Sequence, residues 1–416
     1  MRTTKFLSIF TIAACFLFTS CTEEGSSIPT ATPETKFETE ELTDGNGNVI
    51  ETITTITDYG KGLGTITLSS TTTWVLNGMV FVNNGQTLTI DEGTVIKGQS
   101  GQGENASALI IARDAKIMAY GTAANPVIMT SQADQIRRKA DNSGFENGGN
   151  LPATARGLWG GLIVLGNARL NSLPGTSAIE GIPTSESRGL YGGTDDDDNS
   201  GMLHYVSVRH GGTDIGSGNE INGITLGGVG SGTVINHVEI VATLDDGIEF
   251  FGGSVNVQNA LVYNHGDDGI DIDFNYSGTV NNFIVMHGGD TDEGLEIDGP
   301  EGTTNTSGLF TLKNGTIIST DGKGSAADLK SKAQGTIENC SFAGYSGKYI
   351  KFRASFGDTT NCTSKSDAYA YFIAATPKLI VKNNDLGEQP AINSQHCSPK
   401  YSGEIILCYA YLRQPH

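Results

Sequence analysis

The sequence is short of aromatic, charged and especially basic residues, and each shortage excludes a class of protein. Aromatic residues make up 7% of the 416 positions and charged residues 17%, which excludes a coiled coil or another protein built from long helices. The 26 Lys and Arg residues stand against 46 Asp and Glu residues, so the formal net charge is −20. A surplus of this sign repels phosphate backbones, so the sequence predicts cations as partners and no nucleic acid.

Several recognisable motifs are missing as well. The chain has no Cys-x-x-Cys pair, no zinc-type His spacing, no Gly-x-Ser-x-Gly elbow and no phosphate-binding or dinucleotide-binding glycine loop. Glycine itself is abundant, with 56 residues in 416, or about 13% against a usual ~7%. From residue 64 onward, short Val, Ile and Leu segments of alternating polarity are broken by Gly, Asn or Asp, and this pattern predicts an all-β chain.

The first 20 residues have the layout of a secretory signal. Arg2 and Lys5 precede an apolar stretch at residues 6–18, which is too short to span a membrane, and two small residues then lead to Cys21. A Cys in this place resembles the bacterial lipobox, which predicts cleavage before Cys21 and a lipid on that residue as the only membrane contact. The alternative is an ordinary secreted protein in which Cys21 occurs by chance.

The segments that flank the repeats are predicted to be irregular. Residues 21–63 are rich in Thr, Glu, Ser and Pro, so they predict a flexible tether. Glu23 and Glu24 are similar to the export signal of Bacteroidetes lipoproteins, which implies an outer-membrane protein that faces the cell exterior. Residues 386–416 lose the repeat pattern and are predicted to form an irregular C-terminal tail.

A repeated motif indicates the fold of residues 64–385. Four-residue copies recur at spacings of 24, 22 and 25 residues, and a second short apolar segment precedes each copy. A period in this range predicts a solenoid. Two short β-strands in each coil predict a parallel β-helix that is single-stranded, that is, wound from one chain, and an ordinary β-sandwich is the alternative. The copies are Gly223-Ile-Thr-Leu, Gly247-Ile-Glu-Phe, Gly269-Ile-Asp-Ile and Gly294-Leu-Glu-Ile, with weaker ones beginning at Asp328 and Tyr349.

Alternate positions of these strands are predicted to point outward on one face, because side chains alternate across a strand. Coils stacked ~4.8 Å apart place like charges close together, as an acidic stripe that meets a basic stripe. A ligand-binding face is the functional interpretation, and a solvated polar face is the alternative. The acidic positions are Glu249, Asp271, Asp273, Glu296 and Asp298, and the basic ones are Lys330, Lys332, Lys351 and Arg353.

Acidic residues also gather in the turn before each of these strands. Clustered carboxylate oxygens are the ligands that Ca²⁺ prefers, so the sequence predicts a calcium site in the turns. His265 beside Asp267 and Asp268 also suits acid–base catalysis, and ordinary turn chemistry is the third interpretation. The candidate metal ligands are Asp245, Asp246, Asp267, Asp268, Asp290, Asp292 and Glu293.

Four adjacent carboxylates form another candidate calcium site at Asp195, Asp196, Asp197 and Asp198. The spacing matches the opening of an EF-hand loop, but Ser207 occupies the place of the bidentate acid, so a true EF-hand is excluded. Four neighbouring carboxylates are costly without a cation, and a solvated acidic loop is the alternative.

Two of the remaining cysteines suggest a disulfide. Cys340 and Cys362 lie in similar strings 22 residues apart, so one turn of the solenoid could stack them within bonding distance. Two free thiols are the alternative.

Three strings resemble a family of Bacteroidetes cell-surface β-helix proteins, over about residues 65–320. They begin at Trp74 (WVLNG, followed by TLTIDEGTVIKG), at Gly157 (GLWGGLIVLGNA) and at Asp195 (DDDDNSG). The resemblance implies a right-handed parallel β-helix, the architecture of pectate lyases and polygalacturonases, and it implies no settled activity.

The comparison with those two enzyme families is mixed. Pectate lyases pair calcium-binding acids with a Lys or Arg base, and Lys351 and Arg353 would correspond to that base here. Polygalacturonases use paired aspartates together with Gly-His-Gly and Arg-Ile-Lys strings; Asp267 and Asp268 are present, and both strings are absent.

The sequence therefore predicts a lipid-anchored, monomeric, surface-displayed β-helix that binds Ca²⁺ and an extended polysaccharide or matrix polymer, as a binding or adhesion module. The alternative is a polysaccharide lyase or glycoside hydrolase acting on acidic glycans, with Lys351, Arg353, His265, Asp267 and Asp268 as catalytic candidates.

Overall fold

A computed structural model describes residues 34–101, 103–173, 175–216, 219–289, 291–346, 350–354, 367–386, 396–400 and 404–408. Over these residues the chain consists mainly of short strands, with one α-helix, α1 (Asp367–Ile373), and two 3-10 helices at Gly103–Asn105 and Ser187–Gly189. None of these helices has the length and apolar character that crossing a membrane requires. The predicted all-β class is confirmed.

The strands are short and follow one another throughout the described residues. The first fifteen are β1 (Lys36–Thr43), β2 (Val49–Thr57), β3 (Ile66–Leu68), β4 (Thr73–Leu76), β5 (Met79–Val82), β6 (Thr87–Ile90), β7 (Val95–Gly98), β8 (Ala108–Ile111), β9 (Lys116–Tyr120), β10 (Val127–Ser131), β11 (Arg137–Arg138), β12 (Phe145–Glu146), β13 (Gly161–Leu165), β14 (Ser177–Ala178) and β15 (Leu190–Tyr191). The others are β16 (Gly201–Arg209), β17 (Thr213–Gly216), β18 (Asn219–Ile221), β19 (Ile224–Gly227), β20 (Val234–Val241), β21 (Ile248–Phe251), β22 (Asn256–Tyr263), β23 (Ile270–Asp273), β24 (Thr279–Met286), β25 (Leu295–Ile297), β26 (Phe310–Ile318), β27 (Ala327–Leu329), β28 (Gly335–Glu338), β29 (Ser341–Ala343), β30 (Ile350–Ala354), β31 (Leu379–Lys382), β32 (His396–Lys400) and β33 (Glu404–Cys408).

Two long sheets are built from successive coils. The first, here called the long sheet, has the order β1-β2-β4-β7-β10-β16-β20-β22-β24-β26-β28-β31, with β3, β6, β9 and β29 alongside. The second, here called the site sheet, has the order β5-β8-β13-β19-β21-β23-β25-β27-β30-β33-β32. Neighbours from β5 to β30 pair in parallel, so each coil stacks on the one before. The predicted parallel β-helix is confirmed.

Inward side chains of both sheets form one apolar core. Ile248 and Phe250 of β21 are 1% and 0% exposed, and Phe250 is in register with Leu226 of the coil before it and Ile272 of the coil after it. The repeated Gly-Ile-x-Phe motif therefore reflects two core positions separated by one outward position.

An asparagine ladder marks the bend within each long-sheet coil. Asn259, Asn282 and Asn314 have φ near +57°, a left-handed conformation that Asn tolerates better than most residues. Their Nδ2 atoms donate to the preceding coil, to Asn236 at 2.7 Å, to Asn259 at 2.5 Å and to Asn281 at 2.7 Å respectively. These bonds fix the stacking of the coils.

A long insertion between β13 and β16 covers the first part of the site sheet's outer face. Leu170, Ile179 and Tyr191 of the insertion pack with Leu165 and Phe251 in a second apolar cluster. Up to β21 the outer face of the sheet is therefore mainly apolar and covered, with Thr225 of β19 as a polar exception, and its acidic part begins at Glu249 of β21.

The predicted flexible tether at residues 21–63 is wrong for residues 36–57. Strands β1 and β2 form an antiparallel pair, and β2 joins β4 in parallel. Thr54 and Ile56 of β2 are 6% and 0% exposed, because alternate β-branched residues face the core. The signal segment 1–20 and the lipidation site Cys21 lie outside the described residues.

The predicted irregular tail at residues 386–416 is wrong over its two strands. β32 and β33 pair in antiparallel, and β33 extends the site sheet beside β30. An antiparallel hairpin does not repeat the strand motif of the coils, so the periodicity of that motif could not predict it.

Candidate functional site

Three rows of polar side chains cross the coils of the site sheet. The middle row occupies the outward position of each strand, and register pairs its members as Thr225, Glu249, Asp271, Glu296, Asp328 and Lys351. The structure thus brings the predicted residues Glu249, Asp271, Glu296 and Lys351 together. Asp328 belongs to the same row and was missed.

Asp328 was missed because the weak motif copy that begins at this residue pairs with β25 in a different register from the one that the motif alignment predicts. The sequence pattern aligned Lys330 with Glu249, whereas the residue in register with Glu296 is Asp328. A shift of two residues keeps every apolar side chain inward, so strand alternation does not distinguish the two registers. Lys330 therefore lies further along its coil, in the outer row of Asp273, Asp298, Lys330 and Arg353.

Basic side chains of the later coils are paired with the acids around them. Lys330 Nζ lies 2.9 Å from Glu296 Oε1 and 3.1 Å from Asp298 Oδ2. Arg353 Nε donates to Asp328 Oδ1 at 2.8 Å. The acids of these coils therefore have internal counter-charges.

Lys351 also forms ion pairs with buried acids, and these pairs bear on its predicted role as a catalytic base. Its Nζ pairs with Glu293 and lies 3.4 Å from Asp328 Oδ2. Burial lowers the pKa of Lys351, but attraction to these two carboxylates outweighs burial and leaves the pKa raised. A general base works best with a pKa near the working pH, so this environment does not prepare Lys351 for that task.

The turn row stacks beside the middle row and consists of Asn222, Asp246, Asp268, Glu293 and Ser325. Oδ1 of Asn222, Asp246 and Asp268 each accepts the backbone N–H of the next member, at 3.2, 2.8 and 2.8 Å. Ser325 Oγ donates to Glu293 Oε1 at 2.9 Å. One oxygen of each aspartate therefore has a structural role, and the other can bind a ligand.

Three buried carboxylates converge where the middle and turn rows meet. One oxygen each from Asp246, Glu249 and Asp271 lies within 4.8 Å of the other two. The side chains are only 6%, 5% and 7% exposed, so the interpretation as a solvated polar face is wrong here. Asp271 Oδ1 has no hydrogen-bond partner among the described residues.

The electrostatics of this group favour a bound cation. Burial, reinforced by the neighbouring carboxylates, raises the pKa of Asp246, Glu249 and Asp271 well above the ordinary range. A divalent cation would offset both the burial and the repulsion, and carboxylate oxygens are the ligands that Ca²⁺ prefers. The residues present therefore fit Ca²⁺.

Four further acids, Asp245, Asp267, Glu180 and Glu220, interact electrostatically with this group or with one another. Asp245 and exposed Asp267 form a second potential metal-binding group with Asp246. Burial, then repulsion from Glu220, Asp267 and Glu180, raises the pKa of Asp245 to about 8, and burial with repulsion from Glu220 raises that of Glu180 to about 7. Glu180 and Glu220 were missed because they lie on insertions, where the repeat gives no position.

The predicted catalytic histidine lies in the protein interior. His265 is 0% exposed, and its ring packs edge-on against the ring of His287. His287 Nε2 in turn forms a hydrogen bond of 2.8 Å with Tyr345 Oη. Burial lowers the pKa of both histidines, that of His287 to about 4. His265 therefore cannot reach a polymer on the outer face, although Asp267 and Asp268 lie beside it in sequence.

The four aspartates at residues 195–198 do not converge on one point. Asp196 pairs with Arg169, Asp197 accepts from Ser231 Oγ at 2.9 Å, and Asp198 accepts from Asn167 Nδ2 at 3.2 Å. Asp195 accepts the Asp197 N–H at 3.1 Å. The groups of acids among the described residues that are close enough to share a metal ion include none of the four, so calcium binding by this loop stays a prediction.

Three other predicted residues that the structure describes, Lys332, Asp292 and Cys340, are not part of the three-carboxylate group. Lys332 is exposed in a turn after β27 and is not on the ligand face, and Asp292 is exposed beside the turn row. Asp290 lies outside the described residues. Cys340 is a buried free thiol, against the predicted disulfide, because its side chain faces the core; Cys362 lies outside the described residues.

The chain was compared with protein families, curated proteins and solved structures. The model of a pectate-lyase-like β-helix domain matches residues 60–373. No curated protein and no solved structure matches the chain. The match covers most of the chain and coincides with the stacked coils described above, so the chain belongs to the family of pectate-lyase-like β-helix domains.

Proposed function

We propose that Asp246, Glu249 and Asp271 bind Ca²⁺ and that the face around them binds an extended polysaccharide or matrix polymer. The observation that carries the proposal is the unpartnered Asp271 Oδ1 inside a buried group of three carboxylates. Ca²⁺ takes six to eight oxygen ligands, so three protein carboxylates leave places for water or for oxygens of a polymer.

A polysaccharide as the polymer is supported by membership of a pectate-lyase-like family. We favour a binding module over a lyase because Lys351 and Arg353, the candidate bases, form ion pairs with buried acids. A lyase or hydrolase of acidic glycans is the second candidate, and its support is the group of clustered carboxylates.

The proposed location rests on the sequence. Cys21 would carry a lipid, and Glu23 with Glu24 would direct the monomeric protein to the outer surface of the outer membrane, as the resemblance to Bacteroidetes lipoproteins implies. Display on the surface would give the ligand face access to polymers that do not enter the cell.

The test is binding of the full chain to polygalacturonate and to a neutral β-glucan, in millimolar Ca²⁺ and in chelator. Chelation or Asp271→Asn should weaken binding by about ten-fold or more, equivalent to ~1.4 kcal/mol, because the bridging cation is lost. Asp196→Asn, in the acidic loop that pairs with Arg169, is the matched control and should leave binding unchanged.

Two results would count against this function. Equal binding with and without Ca²⁺ would remove the cation from the mechanism. Unsaturated chain ends that accumulate with wild type and disappear in Lys351→Ala would show a lyase and not a binding module.

A further inference from the structure

A cavity beside the outer row is not used by the proposed cation site. Its volume is about 590 Å³, within the range of small-ligand sites, and the turns after β25 and β27 enclose it together with α1. The residues that matter for its chemistry are Glu301, Ser331, Lys332, Gln334, Asp367 and Tyr371.

Four non-glycine residues in the wall of this cavity have a left-handed backbone conformation. Glu301, Ser331, Lys332 and Asp367 have φ of 51°, 50°, 64° and 58°. Positive φ also recurs at the asparagine-ladder bend and at other turns, as in Ala242 and Phe274, but these four residues lie outside the asparagine ladder. Glu, Ser and Lys rarely adopt this conformation, and such strain tends to cluster at ligand sites.

Hydrogen bonds hold the strained walls in place. Gln334 Nε2 donates to the carbonyls of Thr306 and Gly308, at 2.8 Å each, and the Lys332 N–H donates to Asp367 Oδ1 at 2.5 Å. The insertion after β13 also supports the wall, since the Leu173 N–H donates to Thr304 Oγ1 at 2.7 Å. The cavity is therefore built by several separate segments.

The lining combines an aromatic ring with polar groups of both signs. The Tyr371 ring is partly buried and offers an amphipathic surface, while Glu301, Asp367 and Lys332 offer hydrogen-bond partners. A pyranose presents C–H groups on its faces and hydroxyls at its edge, which suits this combination. Among the lining residues two carboxylates stand against one ammonium, which disfavours an anionic sugar; Lys378 Nζ lies 4.9 Å from the centroid of the Tyr371 ring but does not line the cavity.

We infer that this cavity binds one neutral pyranose unit of a glycan. The inference deepens the proposed polysaccharide function and rests on it, because the lining residues Pro300 and Glu301 follow Asp298 of the outer row in the turn after β25. A polymer that lies on the proposed face can therefore place one unit in the cavity.

The experiment titrates the full chain with neutral hexasaccharides of glucose, mannose, galactose and xylose, and with hexagalacturonate, by calorimetry and saturation-transfer NMR in chelator. At least one neutral hexasaccharide should bind, and hexagalacturonate should bind at least about ten-fold more weakly. Tyr371→Ala, Glu301→Gln and Lys332→Ala should each weaken binding several-fold. Because Tyr371 also packs on the core, the two surface variants keep the test valid if Tyr371→Ala fails to fold. Lys382→Ala, an exposed lysine paired with Glu338 at 3.0 Å, is the control and should bind as wild type does.

The outcomes separate this inference from the proposed function. Neutral oligosaccharide that binds in chelator and is lost in the cavity variants supports the cavity, whether or not Ca²⁺ binds elsewhere. Polymer binding that depends on Ca²⁺ and Asp271, and that the cavity variants leave unchanged, contradicts the cavity and leaves the proposed function standing. Absence of binding by every neutral hexasaccharide also overturns the inference.

Discussion

Raising the pH of the metal-free protein should destabilise it, because the buried acids at and beside the three-carboxylate group are held in an environment that favours their neutral form. Asp245 is 9% exposed and has a pKa of about 8 in the folded protein, against ~3.9 in an unfolded chain. Between these values the folded state binds more protons than the unfolded state, so stability is present at low pH and is lost as the pH rises toward 8.

The size of this effect follows from proton linkage. One group that differs in this way changes stability by ~1.4 kcal/mol per pH unit, or about 4 kcal/mol between pH 5 and pH 8. That is a large part of the 5–15 kcal/mol typical of a folded protein. The raised pKa values of Asp246, Glu249 and Asp271 act in the same direction.

The assay is denaturant unfolding in chelator at pH 5, 6.5 and 8 and constant ionic strength, repeated in millimolar Ca²⁺. The metal-free free energy of unfolding should fall with pH, Asp245→Asn should flatten the fall, and Ca²⁺ should stabilise more at pH 8 than at pH 5. A metal-free protein that is equally stable or more stable at pH 8 would refute the reasoning.

Two further predictions concern the ion-paired coils and the membrane anchor. Lys351→Met leaves buried Glu293 without its ammonium, while Arg353 still pairs with Asp328, so denaturant unfolding should show a loss of ~3–5 kcal/mol, and a loss near zero would contradict the pairing. Cys21→Ala should move the protein from the membrane fraction to the soluble fraction; unchanged membrane retention, with no acyl label on wild type, would contradict lipidation.

The fold could be predicted from the sequence because each coil repeats the same order of inward apolar and outward polar residues. Ile248 and Phe250 face the core while Glu249 faces outward, and the next coil repeats this with Ile270 and Asp271. Strand β2 was missed because its core positions include Thr54, and threonine was counted as a sign of a tether.

The site was predictable only where it follows the repeat. Glu249 and Asp271 occupy repeat positions, but Glu180 lies on an insertion that has no counterpart in other coils. Asp328 was hidden by a two-residue register shift that leaves the apolar pattern intact. Burial of the middle row could not be predicted from the sequence either. A side chain that points outward from a strand is not exposed to solvent when insertions and neighbouring rows cover the sheet.

Calorimetric titration of the metal-free chain with CaCl₂ shows whether Asp246, Glu249 and Asp271 bind Ca²⁺. Wild type and Asp196→Asn should bind Ca²⁺ alike, with proton release that grows as the pH falls from 8 to 6, because carboxylates with raised pKa values must ionise to bind the metal. Asp271→Asn should abolish that binding. Binding that Asp271→Asn leaves intact and Asp196→Asn removes would contradict the account and place the calcium in the acidic loop.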